Sequence, residues 1–423
     1  MKKKEQLPLR GLRPLDSGSV HMLGQITVLM VQVLVMLIAN FPLMEQGLHL
    51  DNPNPTEAEM RAMYIIEFVS RVFTQITLFA VPLVYCYVTG VNYKREVNFK
   101  QGVSTGQGLL LLPIAILCIV AFMPIATLFV NALIAMGFKV GPQMSYVSST
   151  GLYILSIIVI AAMPAFAEEI MFRSFVARGL RKFGIICALL VSSLIFALAH
   201  SSLLQLVHQI FLAMVLMTIY FATKSIYASM IVHFFNNFIA LTVNFIMLKT
   251  TGSENINIGL TGAPLVFTML GISLAGIIAL VLVMWAYLYI SRKRQDKYIV
   301  ENYAKYYDAE GLDITEENAM ALVARVGNKS YGKHDKKGNN FITKYFNLIR
   351  YLNFSFEENR LEEESKPVEQ MQLEAATSPE DKQYYGDLLK ARNEKNRRWD
   401  RNMVIFAVAF STLVLIIFTV QSF

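Results

Sequence analysis

Residues 153–175 read YILSIIVIAAMPAFAEEIMFRSF. No charge occurs from Tyr153 to Ala167; Glu168, Glu169 and Arg173 then follow within six positions. A surface helix of a soluble protein carries polar residues on one face throughout. This run instead has the character of a membrane-crossing helix, which needs about 20 mostly apolar residues. A carboxylate at bilayer depth costs about 2.5–3.5 kcal/mol on insertion scales. Two adjacent carboxylates there require partners, chemistry, or one of each.

The rest of the chain agrees with a membrane setting. Of 423 residues, 55% are hydrophobic and 16% charged, with mean hydropathy +0.45; soluble domains are about 25% charged. Nine spans are expected, at about 23–44, 63–90, 106–135, 151–172, 184–200, 204–223, 226–248, 263–291 and 402–421. The fold class is therefore all-α, a polytopic membrane protein. The net charge of +7 is read as topology, not as nucleic-acid binding. Gly-rich phosphate loops and aromatic-interleaved basic patches are absent from the sequence. Cys86, Cys118 and Cys187 lie in apolar runs without a CxxC pair, which makes them packing residues and excludes a disulfide framework. The first apolar run is too long for the core of a signal peptide, so a retained span is expected.

The charges between spans orient the chain. MKKKEQLPLRGLR (1–13), YKREVNFK (93–100), ARGLRKFG (177–184), Lys224 and SRKRQDK (291–297) fall on one side. EQGLHLDNPNPTEAE (45–59) and KTTGSENINIGLTGAP (249–264) fall on the other. The positive-inside rule then gives a multi-pass cell-membrane protein with a cytoplasmic N-terminus and, after nine spans, an outside C-terminus. Three regions are expected. Residues 1–291 form a transmembrane core of eight helices. Residues 292–401 form a charged cytoplasmic segment, and 402–423 carry the ninth helix. Residues 292–401 hold 21 of the 38 Lys and Arg and 20 of the 31 Asp and Glu, so the segment is near neutral and reads as an accessory, dispensable for chemistry. Within it, 313–326 and 378–399 read as short helices with Thr and Ser caps, and 356–370 as a solvated stretch. No internal repeat is found.

Polar residues inside the spans narrow the function. Glu67 and Arg71 are four apart and read as a structural pair. Lys224 stands at a span end and can snorkel. The region 164–240 holds Glu168, Glu169, Arg173, His200, His208, His233, Asn236 and Asn237. Glu169 and Arg173 share a helix face, whereas Glu168 lies about 100° around the helix. One carboxylate is thus braced and the other is available. His200 follows Phe196 by one turn, and His233 and Asn237 are also four apart. A base and an imidazole can activate water, and an imidazole beside an amide can stabilise an oxyanion. On these span limits His200 lies at the opposite end of its span from Glu168 and His233. A water-activating site then requires broken helices or shifted boundaries.

The motifs EEIMFR (168–173), FALAH (196–200) and HFFNN (233–237), in this order on apolar spans, resemble the CPBP family of intramembrane proteases, the Abi or type 2 CAAX prenyl endopeptidase family. The resemblance covers roughly 150–245, with the protease motifs in 164–240. It implies an eight-helix core that hydrolyses peptide bonds within the membrane. By that resemblance Glu168 and His200 activate water, His233 and Asn237 stabilise the oxyanion, and Glu169, Arg173 and Phe196 support the site. Ser174 departs from the glycine many members carry there, and the segment beyond 291 lies outside the usual core.

No cofactor is expected. The alternative is zinc held by Glu168, His200 and His233, a plausible three-ligand set, although no HExxH is present. The partners expected are a membrane-embedded or membrane-associated protein substrate, lipid-modified or not, and the lipid bilayer, with no nucleic acid; the oligomeric state is left open. Two other readings compete: a non-proteolytic immunity or binding protein of the same fold, and a proton-coupled transporter.

Overall fold

The computed structural model describes residues 11–45, 56–139, 147–253, 259–306, 341–355 and 368–420. Helices α1 (Pro14–Glu45), α2 (Glu57–Thr89) and the short α3 (Tyr93–Val97) are followed by α4 (Thr105–Ala135). A long composite helix, α5 (Thr150–Phe183), comes next. Then come α6 (Ile185–Ala199), α7 (Leu203–Thr223), α8 (Ile226–Thr251) and α9 (Gly262–Tyr306). Helices α10 (Phe341–Asn353), α11 (Val368–Ala375) and α12 (Pro379–Val420) complete the described chain. It is an all-α polytopic membrane protein, with eight helices long and apolar enough to cross a bilayer among the described residues.

Local sequence sets the helix ends. Thr56 and Glu59 form a reciprocal capping box that starts α2, and Ser104 and Gln107 do the same for α4. Gly90 takes the left-handed conformation that closes α2, at φ 71°. Where α9 crosses α4, a side chain at Gly276 would collide with the Ala121 backbone, 2.8 Å from its nitrogen. Close backbone approach through small residues is how helices associate in lipid, where apolar burial drives nothing.

Among the described residues an apolar helix stands at each of the nine expected spans, but the one expected at 184–200 is too short to cross. Helix α6 has 15 residues and is about 22 Å long, short of the roughly 30 Å hydrocarbon core. Its C-terminus therefore stops inside the bundle. This resolves the depth conflict. His200 lies 15 residues beyond Ile185, and Glu168 lies 15 residues before Phe183. Both stand about 22 Å from the same end of the bundle.

Helix α5 is irregular where the carboxylates lie. The turns Met163–Glu169 are flanked by π-helical stretches at Ile157–Ala162 and Ile170–Ala177. Such widened turns recur at functional sites. The carboxylate-bearing turns pack between α2 and α8.

The charged segment joins the bundle more closely than its composition suggests. Helices α9 and α12 run unbroken through 291/292 and 401/402. Ser378 accepts from the Asp381 N–H at 3.0 Å, as its expected cap. The expected helix at 313–326 lies outside the described residues, as does most of 356–370. Helix α10 buries Ile349 and Leu352 in the main core. Tyr345 Oη bonds Thr218 Oγ1 at 2.6 Å, and Arg181 donates to Asn353 Oδ1 at 3.2 Å. Lys224 does not simply snorkel: its Nζ donates to Gln295 Oε1 and to the Phe354 carbonyl.

Helix α12 is built into the bundle as well. Ser411 Oγ bonds His21 Nε2 and donates to Gln25 Oε1, each at 2.7 Å. Arg13 pairs with Asp400 at 3.1 Å. A side chain at Gly18 would meet the Met403 carbonyl at 2.9 Å, so α1 and α12 are in backbone contact. These contacts make α10 and α12 part of the packed bundle. A chain ending before Pro379 is expected to melt at least about 5 °C lower in detergent, because His21 and Gln25 lose buried partners. An unchanged melting temperature would show that α12 is an appendage.

Candidate active site

Glu168, on α5, is buried and faces α2 and the α6–α7 turn. Gln75 of α2 donates to its Oε1 at 3.0 Å. Its Oε2 is buried and has no hydrogen-bond partner. His200 Nε2 stands 4.0 Å and His233 Nε2 3.9 Å from that same oxygen. Both distances exceed a direct hydrogen bond, and a water shared between such groups fits them.

The outer nitrogens fix both rings. His200 Nδ1 meets the Phe196 carbonyl at 2.9 Å, and His233 Nδ1 meets Glu169 Oε1 at 2.9 Å. A carbonyl and a carboxylate only accept, so each Nδ1 donates. In the neutral rings, both Nε2 atoms are then acceptors turned toward Glu168.

Glu169 faces away from the cavity. Its Oε2 lies 2.9 Å from Arg173 Nε, and both side chains are fully buried. The guanidinium also lies over the Phe196 ring, 4.6 Å from its centre. Phe196 in turn contacts the Phe172, His200 and His233 rings at 5.0, 4.9 and 6.0 Å. Glu169, Arg173 and Phe196 thus form one support behind both histidines.

The structure brings Glu168, His200 and His233 together. Asn237 is placed differently. Its Nδ2 donates to the Ile160 carbonyl at 3.0 Å, and its Oδ1 accepts from Asn236 at 3.3 Å. Ile160 is the carbonyl four residues before Pro164, which has no N–H to offer it. Asn237 therefore supplies a donor where the proline removes one.

Near the site, Gln75 and Gln25 have no place in the sequence reading, and Asn236 stands in it without a role. Gln75 is eight residues from Glu67 and four from Arg71, so the helical spacing was the available signal. Asn236 Nδ2 approaches His208 Nε2 at 3.5 Å. Gln25 lies against Ser411.

All seven expected site residues fall within residues 150–239, which match the family model of the Type II CAAX prenyl endopeptidase Rce1-like. This stretch is an Rce1-like domain of the CPBP family. No curated protein and no solved structure matches the chain. The Rce1-like domain supplies the carboxylates and histidines, whereas Gln75 reaches them from outside it.

A cavity of ≈ 330 Å³ opens on Glu168 and His200. It runs along α1 and α2 from His21 to Gln32 and Glu67, and reaches Gln205 and Phe418. It extends away from the basic end that carries Arg13, Arg95 and Arg181. As donor types, Glu168, His200 and His233 suit zinc. Among the described residues, however, no three His, Cys, Asp or Glu side chains are arranged to hold a metal ion.

Proposed function

We propose that the protein is an intramembrane endopeptidase that hydrolyses peptide bonds of membrane-embedded or membrane-associated proteins. The observation that carries this reading is the unpartnered Glu168 Oε2, faced by two imidazole nitrogens at the end of a cavity. The Rce1-like match supports a protease family.

In this reading a water lies between Glu168 Oε2 and His200 Nε2. Glu168 takes its proton as the hydroxyl oxygen attacks the peptide carbonyl carbon. The carbonyl π electrons move to oxygen and form a tetrahedral oxyanion. Glu168 then gives the proton to the leaving nitrogen as the C–N bond breaks. His233, held by Glu169 at Nδ1, donates from Nε2 to the oxyanion when both ring nitrogens carry protons. We assign Asn237 as a second oxyanion donor, which requires it to exchange its bond to Ile160. The N-terminus is taken as cytoplasmic, in the cell membrane.

The Asn237–Ile160 bond favours a second reading of that residue alone, as a brace for α5. Asn237→Ala is expected to lower turnover of a fluorogenic peptide about 100–1000-fold. Pro164→Ala restores an N–H to Ile160, so it is expected to recover the melting temperature of the double variant without recovering turnover. Recovery of both would leave Asn237 with the brace role only. Peptide cleavage by the purified wild-type protein, against a Glu168→Gln blank, tests the function itself.

A further inference from the structure

Away from the candidate active site, α12 packs beside α6, and the apolar stretches of both begin at the basic end of the bundle. A groove of ≈ 560 Å³ lies between them. Cys187, Val191, Val404 and Ile405 make its apolar part. Its other end carries Arg397, Arg398 and Arg401, with Glu394 as the one carboxylate among the described lining residues. The order of residues along α12 sets this arrangement. Arg397, Arg401 and Ile405 follow at four-residue spacing, with Arg398 and Val404 beside them, so one helix face changes from cationic to apolar within about two turns. Trp399, 61% exposed, marks the depth of the change. Tryptophan concentrates at the headgroup level of a bilayer, and Arg398 and Arg401 flank it. The arginines therefore stand at headgroup depth, and the apolar part of the groove leads from them into the hydrocarbon.

The charges are not used within the protein. All three arginines are exposed, and none of their guanidinium groups makes a hydrogen bond or ion pair among the described residues. Glu394 makes no ion pair there either, and Asp400, next to Arg401, is held by Arg13 at 3.1 Å. Membrane topology accounts for basic residues at this end, but not for an apolar groove that starts at them. Guanidinium groups bind phosphate oxygens through parallel N–H donors. Basic pockets between membrane helices hold anionic headgroups in this way.

We propose that this groove binds one anionic phospholipid of the leaflet at the basic end, with its phosphate on Arg397, Arg398 and Arg401 and an acyl chain along Cys187, Val191 and Ile405. A zwitterionic lipid offers the same phosphate but brings a cation of its own toward the arginines, so the site selects negative headgroups. The bound lipid ties α12 to α6. Helix α6 ends on His200, and α12 places Phe418 on the wall of the active-site cavity. The lipid therefore holds together two helices that frame the site, and it does so whether or not the protein cleaves peptides.

The test uses full-length protein in nanodiscs of equal parts phosphatidylglycerol and phosphatidylcholine. Lipid that stays bound through detergent extraction is identified by native mass spectrometry. Phosphatidylglycerol is expected to be retained about 10–100-fold over phosphatidylcholine. The variant Arg397→Gln with Arg398→Gln and Arg401→Gln is expected to bring that ratio to about 1. Ile405→Trp, which crowds the apolar part and keeps every charge, is expected to lower retention of phosphatidylglycerol at least about tenfold. Lys390→Gln with Lys395→Gln removes charge from α12 outside the groove and is expected to leave the ratio unchanged. Melting temperatures in phosphatidylcholine alone confirm that each variant is folded. A ratio near 1 for wild-type protein, or one that survives the three arginine substitutions, overturns the proposal. Full retention in Ile405→Trp, or an equal loss in the lysine variant, would show a diffuse attraction to the membrane surface and overturns it as well. Thermal stabilisation by soluble glycerol phosphate equal to that by phosphatidylglycerol would make this a site for free phosphate, with the same consequence.

Discussion

Glu168→Gln is expected to lower peptide turnover roughly 100–10,000-fold, the range general acid–base groups contribute, with little change in melting temperature. The amide keeps an oxygen that can accept from Gln75 Nε2, as Glu168 Oε1 does at 3.0 Å. It cannot take a proton from water. The side chain is buried, so an uncharged isostere of the same shape does not disturb packing. Turnover, melting temperature and binding of an uncleaved peptide, measured on one preparation, separate loss of the base from loss of the fold. Wild-type turnover in this variant would remove Glu168 from the chemistry.

Glu169→Ala is expected to act on stability first. Arg173 would be left fully buried without its ion-pair partner, and His233 would lose the acceptor that fixes its ring. Breaking a buried ion pair costs about 3–5 kcal/mol. The expected result is a melting temperature lower by several degrees in detergent, together with strongly reduced turnover. The double variant Glu169→Ala with Arg173→Met removes the orphaned charge, so it is expected to regain stability while turnover stays low. A fully stable Glu169→Ala protein would show that the Glu169–Arg173 pair does not hold the site together.

Much of the fold was legible because apolar length is a strong signal in a membrane chain. The spans of α1, α2, α4, α5, α7, α8, α9 and α12 follow from it. The limits of α6 were legible too, at 184–200 against Ile185–Ala199, but its apolar character reads as a full span although 15 residues are too short for one. What ends it is local: His200 closes the helix, Ser201 takes φ 49°, and Ser202 precedes α7. The docking of α10 was hidden by averaging. Residues 292–401 are near neutral and highly charged as a whole, yet 341–354 read FITKYFNLIRYLNF, an apolar face within that background.

At the site, helical spacing separated Glu169 from Glu168, and the ion pair to Arg173 with Gln75 on Glu168 is the arrangement found. Spacing within one helix says nothing of partners on another. The bond from Asn237 to Ile160 joins residues 77 apart, and its cause, Pro164, lies on the other helix. Glu67 and Arg71 were legible as a pair. Their place on the cavity depends on how α2 is rotated against α5, which one helix's sequence does not determine.

The central claim is that Glu168 drives attack of water on a peptide bond. Single-turnover cleavage in H₂¹⁸O, with products resolved by mass spectrometry, tests it most directly. Wild-type protein is predicted to release an amino-side product whose new carboxylate carries one ¹⁸O, and the Glu168→Gln protein to release none on the same timescale. Intact peptide after incubation with folded wild-type protein, or equal labelled product from both proteins, would contradict the account.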